Sequence, residues 1–527
     1  MVVFTLLLAT GRFVLLVFFV SEKTVTASSV GGAQTRRFSS GAIALIGLGV
    51  VLLAVGAKLA LVQHYGTDQP FADQWAAEGM YFLRGPLYYR IDLAQLASFH
   101  GEHRPALMRL WVRGLILANG GQWDCFVELV ANLLIYAGFL AVLWRYLVSQ
   151  LEGLWLGLAA AFMAVLFALP CAYENFLWGF QSHFFFLLLL GTLHVGGTLA
   201  QTRLGIRWWL AQVAGFLGLF SIAAGAMSAA VLVVLAAISL LRGGNRIWAG
   251  ATLVVNAALF GFGFWLLPEA MVPEGGRLAR AIQALVGTGH LLSWPFSGWA
   301  WCLLLQAPWV IWLIGSWWKR DGGVSASDRI AGALGLWVAG IAFAIAFGRV
   351  VTSENIGVRY YDVLVLGLFV SFCALIRISA RLARSRRFVG LALTAAWLIP
   401  VSRELWLNNR PQNLAPMFAY QHDLAVEQRQ IIREFLVSND PARLQAFEQE
   451  SHRFPHFQIT LDFLRDPKVP ALLPPSLTPD GHENRLSRMA RRIAGGWSAV
   501  IALGAALAAV GTMALARTAP VGDEISE

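Results

Sequence analysis

The sequence predicts an all-α polytopic membrane protein, and three observations carry that prediction. Of its 527 residues, 57% are hydrophobic and only 13% are charged, too little polar surface for a soluble chain of this length. The apolar runs are continuous over roughly 20 residues, the length a helix needs to cross a bilayer, whereas membrane-barrel strands would alternate over about 10. Arginine fills alternate loops between those runs, the charge asymmetry of inserted helices. Backbone groups in hydrocarbon must be satisfied within each span, so the runs are helices, about 11–13 of them at that length.

Residues 1–40 form an N-terminal apolar segment and a cytoplasmic lead-in. Val2–Val20 is interrupted by Arg12 and reads as a first span, a signal-like element or the product of an early start codon. Ser21–Ser40 is small and polar, with Lys23, Arg36 and Arg37. Gly41–Val62 is the first clean span, with Lys58 near its far end, placed to snorkel to the interface. The basic lead-in puts the next segment, 63–123, outside. Further spans follow at Asp124–Val148, Leu154–Leu169, Phe184–Leu199, Trp208–Ile222, Ala226–Leu241 and Ile247–Leu267. Leu291–Trp318, Ile330–Phe347, Tyr361–Ile376 and Phe388–Val401 complete a transmembrane domain over 41–401.

Alternation from the first span places Arg145, Arg203, Arg207, Arg242, Arg246, Lys319 and Arg320 inside. The cluster Arg377, Arg381, Arg384, Arg386 and Arg387 falls inside as well. Residues 402–490 then form a soluble outer-face segment. In it, His422–Phe447 reads as two helices parted by Ser438-Asn439-Asp440-Pro441, a stop followed by a fresh N-cap. Proline-rich Pro467–Pro479 reads as loop. Residues 491–527 hold a final span, Ile493–Ala514, and a tail. Arg485, Arg488, Arg491 and Arg492 stand against the charge rule on the outer side, so either the rule fails locally or the span count is off by one there.

The net charge of +10 would suggest nucleic acid in a soluble protein. Here much of it lies in short loops, and no basic, aromatic-rich soluble module accompanies it, so no nucleic-acid partner is expected. Cys125, Cys171, Cys302 and Cys373 are scattered in or beside apolar segments and suggest neither a disulfide framework nor a metal site. The match Gly47-Leu48-Gly49-Val50-Val51-Leu52 to a dinucleotide fingerprint fails at its third glycine and lies in a span.

The outer loops hold the candidates for chemistry. Asp73, just beyond a span and flanked by Phe71 and Trp75, is either a partly dry general base or an ordinary loop acid capping the following helix. His100-Gly101-Glu102-His103-Arg104-Pro105 has three readings. It is a metal site without zinc-protease spacing, a phosphate clamp in which Arg104 is steered by Glu102 and the histidines, or a solvated helix entry. Pro105–Ala118 reads as an interfacial helix with Arg109 and Arg113 on one face, toward a lipid-linked phosphate or bulk headgroups. In the second loop Trp178 and Phe180 stack on a sugar ring, with Glu174, Asn175 and Gln181 bonding its hydroxyls, or they form an interfacial aromatic belt. Arg359-Tyr360-Tyr361 enters a span from outside, as a phosphate contact or an anchor. Glu128 and Asn132, one turn apart in a span, are the main hint of a transport path.

These segments resemble the GT-C superfamily of integral-membrane glycosyltransferases, within it a bacterial group carrying Asp-Gln-Trp near the first span and Glu-His-Arg after it. Here the motifs are Asp73-Gln74-Trp75 and Glu102-His103-Arg104, with a similar Glu174-Asn175 to Trp178-Gly179-Phe180-Gln181 loop. The architectural likeness covers nearly the whole chain, the motifs only these short segments. The resemblance implies a GT-C-like bundle with a large first outer loop holding interfacial helices. It also implies a bacterial inner-membrane location, with the active face periplasmic or extracellular. The implied reaction is transfer of a sugar from a polyprenyl-phosphate donor to a glycan, lipid or protein acceptor, by inverting displacement. Asp73 would be the base; many members of the superfamily carry two acids close together in this loop, and Asp68, five residues earlier, is the other candidate. Substrate contacts would come from Asp68, Trp75, His100, Glu102, His103, Arg104, Arg109, Glu174, Asn175, Trp178, Gln181, Arg359 and Tyr360. No cofactor is required; a divalent metal is an option. The alternatives are a lipid-linked saccharide flippase or a non-catalytic envelope-glycan assembly factor.

Overall fold

A computed structural model describes residues 40–79, 93–268, 277–318, 325–349, 351, 355–382, 386–451, 454, 456–478 and 481–518. Val2–Val20, Lys319, Arg320 and Arg384 lie outside them. Among the described residues the protein is all-helical, with nine helices long and apolar enough to cross a membrane and two shorter apolar ones, Gly153–Ala168 and Trp301–Trp317.

The first span is α1, Ser40–Tyr65. After the first loop come α2 (Ala106–Ala118) and α3 (Cys125–Leu143), the latter extended by a wider turn to Val148. Asp124 starts α3 by accepting hydrogen bonds from the backbone N–H groups of Phe126 and Val127, an N-cap. Next are α4 (Gly153–Ala168), the short α5 (Tyr173–Leu177), α6 (Ser182–Leu199), α7 (Ile206–Gly218), α8 (Met227–Leu241) and α9 (Arg246–Trp265). Then α10 (Arg277–Ser293), α11 (Trp301–Trp318), α12 (Ala326–Gly348), α13 (Tyr361–Ala380) and α14 (Arg387–Asn408) follow. The outer segment holds α15 (Pro411–Ser438), α16 (Ala442–Ser451) and α17 (Phe457–Leu464). Last come α18 (Arg485–Gly495) and α19 (Trp497–Thr518).

Most predicted spans fall on these helices. The run Trp208–Ile222 falls on α7, whose 13 residues are too few to cross a bilayer, and three more differ for identifiable reasons. The run Leu291–Trp318 is one apolar stretch but two helices, broken at Trp294–Ala300, where Pro295 removes a donor. The segment Phe388–Val401 continues to Asn408 despite Pro400. The final span begins at Trp497, because Arg485–Gly495 is a separate helix.

Side-chain bonds show which ends belong together. Arg377 donates to the Leu147 carbonyl at 2.6 Å and to the Ser327 hydroxyl at 2.8 Å, and Arg381 pairs with Asp328 at 2.7 Å. Arg242 donates to the Trp317 carbonyl, and Asn245 to that of Thr202. The basic loops assigned to one side therefore gather at one end of the bundle. The arginines of α18 lie at the other: Arg491 pairs with Asp68 at 3.2 Å, Asp124 at 3.7 Å and Glu483 at 2.6 Å. The buried acids Asp68 and Asp124 account for one of these exceptional arginines.

Lys58 does not snorkel. It is 2% exposed, donates to the Leu169 carbonyl and lies 4.2 Å from the centre of the Phe176 ring. Helices α6 to α9 are tied inside the bundle by a polar network: Gln212 donates to Thr198 at 2.9 Å, Asn256 to Gln212 at 3.0 Å, and His194 lies 2.9 Å from the Ser228 hydroxyl. Such bonds hold helices together where no hydrophobic difference does. The antiparallel pair α1–α19 relies on small residues instead: a Cβ on Gly49 would lie 2.6 Å from the Gly504 carbonyl oxygen.

A second apolar core sits beyond the bundle, and it organises the site. Trp75, Met108, Val112, Ile116 and Trp123 pack against Ile432, Phe435, Phe447, Phe463 and Leu473 of the outer segment. On α2, Trp111 and Leu115 face the bundle core instead. That helix is therefore wedged between two cores rather than laid on a lipid surface. Asn439 adopts the left-handed conformation that stops α15, and Asp440 accepts from the Ala442 N–H to start α16, as the Ser-Asn-Asp-Pro signal predicted.

Candidate functional site

The Asp-Gln-Trp motif divides its three side chains among three environments. Phe71 and Ala72 form a tight turn, closed by bonds from Gln74 N to Phe71 O (3.0 Å) and Trp75 N to Ala72 O (3.2 Å), with Ala72 at φ 46°. Trp75 drops into the second core, fully buried, its ring 5.9 Å from that of Trp123. Gln74 turns toward the bundle. Its amide donates to Glu78 at 3.1 Å and to Glu128 at 3.0 Å, and Trp123 donates to Glu128 at 2.9 Å. Only Asp73 points outward, its side chain 30% exposed.

The His100–His103 segment folds back on itself as a two-bond hairpin, with N–H to O distances of 2.9 and 3.0 Å. Gly101 takes φ +53° at its tip, a left-handed conformation that glycine adopts without strain. The hairpin carries His100 to within 3.8 Å of Asp73. Glu102 meets Arg349 at 2.7 Å and His103 at 3.5 Å. The Ala223 N–H donates to His103 Nδ1 at 3.2 Å, which fixes the tautomer with the proton on Nε2.

Electrostatics in this cluster follow from burial against neighbouring charge. Burial pushes the Asp73 carboxyl up, but the hydrogen bond and charge of His100, with His456 and Arg359 behind it, hold it below the usual range. Glu102 is likewise held down, burial being outweighed by His103 and Arg349. Burial, only partly offset by Glu102, lowers His103 to about 4. Glu174 is raised by burial, although Arg359 opposes the shift.

Arg359 is the cation that the fold prepares most carefully. Its backbone is held by α5: its carbonyl accepts from Asn175 Nδ2 at 2.8 Å. Asn175 is held in turn by Asp362 at 2.8 Å. The guanidinium lies 5.5 Å from the centre of the Tyr360 ring, and its charge acts on Asp73, Glu174, His103 and His183. No carboxylate among the described residues comes within ion-pair distance of it.

Three other predicted contacts have structural roles instead. Arg104 uses two guanidinium nitrogens on backbone carbonyls, Leu266 at 3.0 Å and Ala97 at 2.7 Å, and stacks on Phe99 at 3.8 Å; it staples the hairpin to the end of α9. Arg109, 3% exposed, binds the carbonyls of Gln95, Leu96 and Ser98 and shapes the chain before the hairpin. Asp68 is buried, accepts from the Ser476 hydroxyl at 2.6 Å and pairs with Arg491. Of Asp68 and Asp73, only Asp73 faces the cluster.

The aromatic loop packs largely upon itself. Trp178 donates from its indole to the Phe71 carbonyl at 3.1 Å, with ring centres 5.2 Å apart. Phe180 lies 5.2 Å from the His100 ring and 4.9 Å from His183. Gln181 is buried, and Tyr360 packs on Phe184 at 5.9 Å. Gly179 is required at this point, since a Cβ there would lie 2.2 Å from Glu128 Oε2. Asn132 donates to the Gly179 carbonyl and accepts from the Trp111 indole, both at 2.9 Å. Glu128 and Asn132 thus hold the two outer loops onto α3.

Sequence reasoning left out Arg349 and His183. Arg349 was only the first residue of a loop, 247 positions from its partner Glu102. His183 closed the second loop without any motif around it. Among the described residues, no group of three His, Cys, Asp or Glu side chains is arranged to hold a metal ion.

The chain matches no protein-family model, no curated protein and no solved structure.

Proposed function

We propose that the protein is a membrane glycosyltransferase that moves a sugar from a polyprenyl-phosphate donor to a glycan, lipid or protein acceptor. The observation that carries this reading is a polar cluster at the end of an apolar bundle, built from three loops far apart in the chain. Asp73 lies 3.8 Å from His100, Glu102 2.7 Å from Arg349, and the His103 ring 6.1 Å from that of His183, with the Arg359 charge acting on Asp73. A lipid-linked donor needs this placement, since its phosphate and sugar sit where the spans stop. The acceptor hydroxyl attacks the anomeric carbon and passes its proton to Asp73, which His100 orients. The bond from that carbon to the phosphate oxygen breaks, and the phosphate departs as an anion stabilised by Arg359. Displacement from the opposite face inverts the anomeric centre.

The same charge pattern supports a location. With the arginine-rich end inside, the cluster faces outward from a bacterial inner membrane. A flippase path would place unsatisfied ionisable groups through the bilayer; Glu128 and Asn132 have partners that hold loops, so the transport reading gains no support from them.

The test is transfer from a labelled polyprenyl-phosphate sugar in proteoliposomes of the full-length protein. Asp73→Asn is expected to keep donor binding and lose transfer by roughly 10²–10⁴-fold. Undiminished transfer by a folded Asp73→Asn protein overturns the proposal.

A further inference from the structure

Helix α18 presents a surface that the Asp73 cluster does not use. Its packed side is small: Ser487, Ala490 and Ala494 are buried, and Ser487 shares hydrogen bonds with Asn119. Its level in the molecule is fixed by three neighbours. It packs on the last turn of α1, where a Cβ on Gly495 would lie 4.0 Å from Gln63. It meets the first turn of α3, with the Arg491 guanidinium 5.0 Å from the centre of the Phe126 ring. It ends one residue before α19, whose first residue, Trp497, lies 6.1 Å from the His64 ring. Each neighbour marks the point where an apolar span stops, so α18 lies in that plane.

Its exposed side is divided lengthwise. Arg485, Arg488 and Arg492 are exposed and spaced i, i+3 and i+7, one arc of a helix. Met489 and Ile493, 46% and 43% exposed, form the adjoining arc. The nearby acids Asp68, Asp124 and Glu483 are engaged by Arg491 on the packed side. The three exposed arginines make no ion pair among the described residues. An exposed apolar strip beside a basic strip, at the level where spans end, matches a bilayer surface. The apolar side chains reach the acyl boundary, and the guanidinium groups reach headgroup phosphates.

We propose that this arc of α18 is a binding surface for anionic phospholipid headgroups of the surrounding bilayer, separate from the donor site. The full-length protein in a neutral detergent is titrated with phosphatidylglycerol, phosphatidylcholine or polyprenyl phosphate, and bound lipid is counted by native mass spectrometry. Wild type is expected to take phosphatidylglycerol in preference to phosphatidylcholine. The triple variant Arg485→Gln, Arg488→Gln, Arg492→Gln should bind it roughly 100-fold more weakly, at about one surface-charge contribution per arginine. The triple lysine variant should retain it. Single variants, each expected to lose about fivefold, serve if the triple glutamine variant fails to fold. Unchanged phosphatidylglycerol binding by the glutamine variants overturns the proposal, as does equal binding of the two phospholipids by wild type. So does a preference for polyprenyl phosphate that the glutamine variants abolish. Because none of these arginines belongs to the Asp73 cluster, sugar transfer reads the other proposal independently.

Discussion

Replacing Arg491 by alanine should destabilise the protein far more than replacing any other arginine of the same helix. Arg491 faces three carboxylates, and two of them, Asp68 and Asp124, have almost fully buried side chains. Removing one partner of a buried ion pair costs about 3–5 kcal/mol, because the charge left behind is stranded. The figure is lower here. The Arg491 side chain is 39% exposed, Asp68 keeps the Ser476 hydroxyl and the Arg429 guanidinium at 3.9 Å, and Asp124 keeps the Phe126 N–H. About 2–3 kcal/mol remains. Arg488, exposed and without an ion pair among the described residues, should change stability by less than about 0.5 kcal/mol. The assay is thermal unfolding of the full-length protein in one detergent, with Arg491→Ala and Arg488→Ala compared across pH. Burial lifts Asp124 to about 6 even with Ser487 and Arg491 beside it. A raised carboxyl loses stability as pH climbs through that range, so the Arg491→Ala penalty should be greatest near pH 8. It should shrink as pH falls below about 6 and the acids take up protons. Equal midpoints for the two variants at pH 8, or a penalty that grows on acidification, would refute the reasoning.

Other consequences follow from the same contacts. Asn175→Ala removes the donor to the Arg359 carbonyl without touching the guanidinium; donor KM should rise about tenfold, a loss of roughly 1.4 kcal/mol, while Arg359→Lys costs more. Glu78, buried beside Gln74 and raised by burial to about 8, should make wild-type stability fall as pH rises from about 4.5 to 8. Glu78→Gln should reduce that slope, most visibly between about pH 6 and 8, seen as a smaller drop in melting midpoint than wild type shows. Gly504→Val would put a Cβ 2.8 Å from the Gly49 carbonyl oxygen. Forcing α1 and α19 apart should cost about 1–3 kcal/mol, measured by thermal unfolding with transfer activity as the second readout.

The spans were legible because hydrocarbon imposes length and polarity on every crossing helix. The loop arginines carried the topology for the same reason: Arg145, Arg242 and Arg381 mark one end whatever they touch. Orientation within the loops was not legible. Arg104 and Arg359 look alike in sequence, as basic residues beside aromatic ones. One binds carbonyls of its own hairpin and of α9, while the other is held by its backbone, leaving its charge toward Asp73. Lys58 looked like a snorkelling residue because hydropathy cannot see the Leu169 carbonyl 111 positions away. The flanking aromatics of Asp73 were visible, yet Trp75 serves a core formed with residues some 380 positions later. Asp68 and Asp73 look alike in sequence, and what separates them is the Ser476 and Arg491 contacts that occupy Asp68, more than 400 positions away.

The central claim is that Asp73 and Arg359 act on one lipid-linked sugar. It is tested most directly by release of polyprenyl phosphate from labelled donor in proteoliposomes, measured for wild type, Asp73→Asn and Arg359→Gln with their melting midpoints alongside. Each variant is predicted to melt near wild type and release polyprenyl phosphate at least about 100-fold more slowly. Release at the wild-type rate by either folded variant would contradict the account.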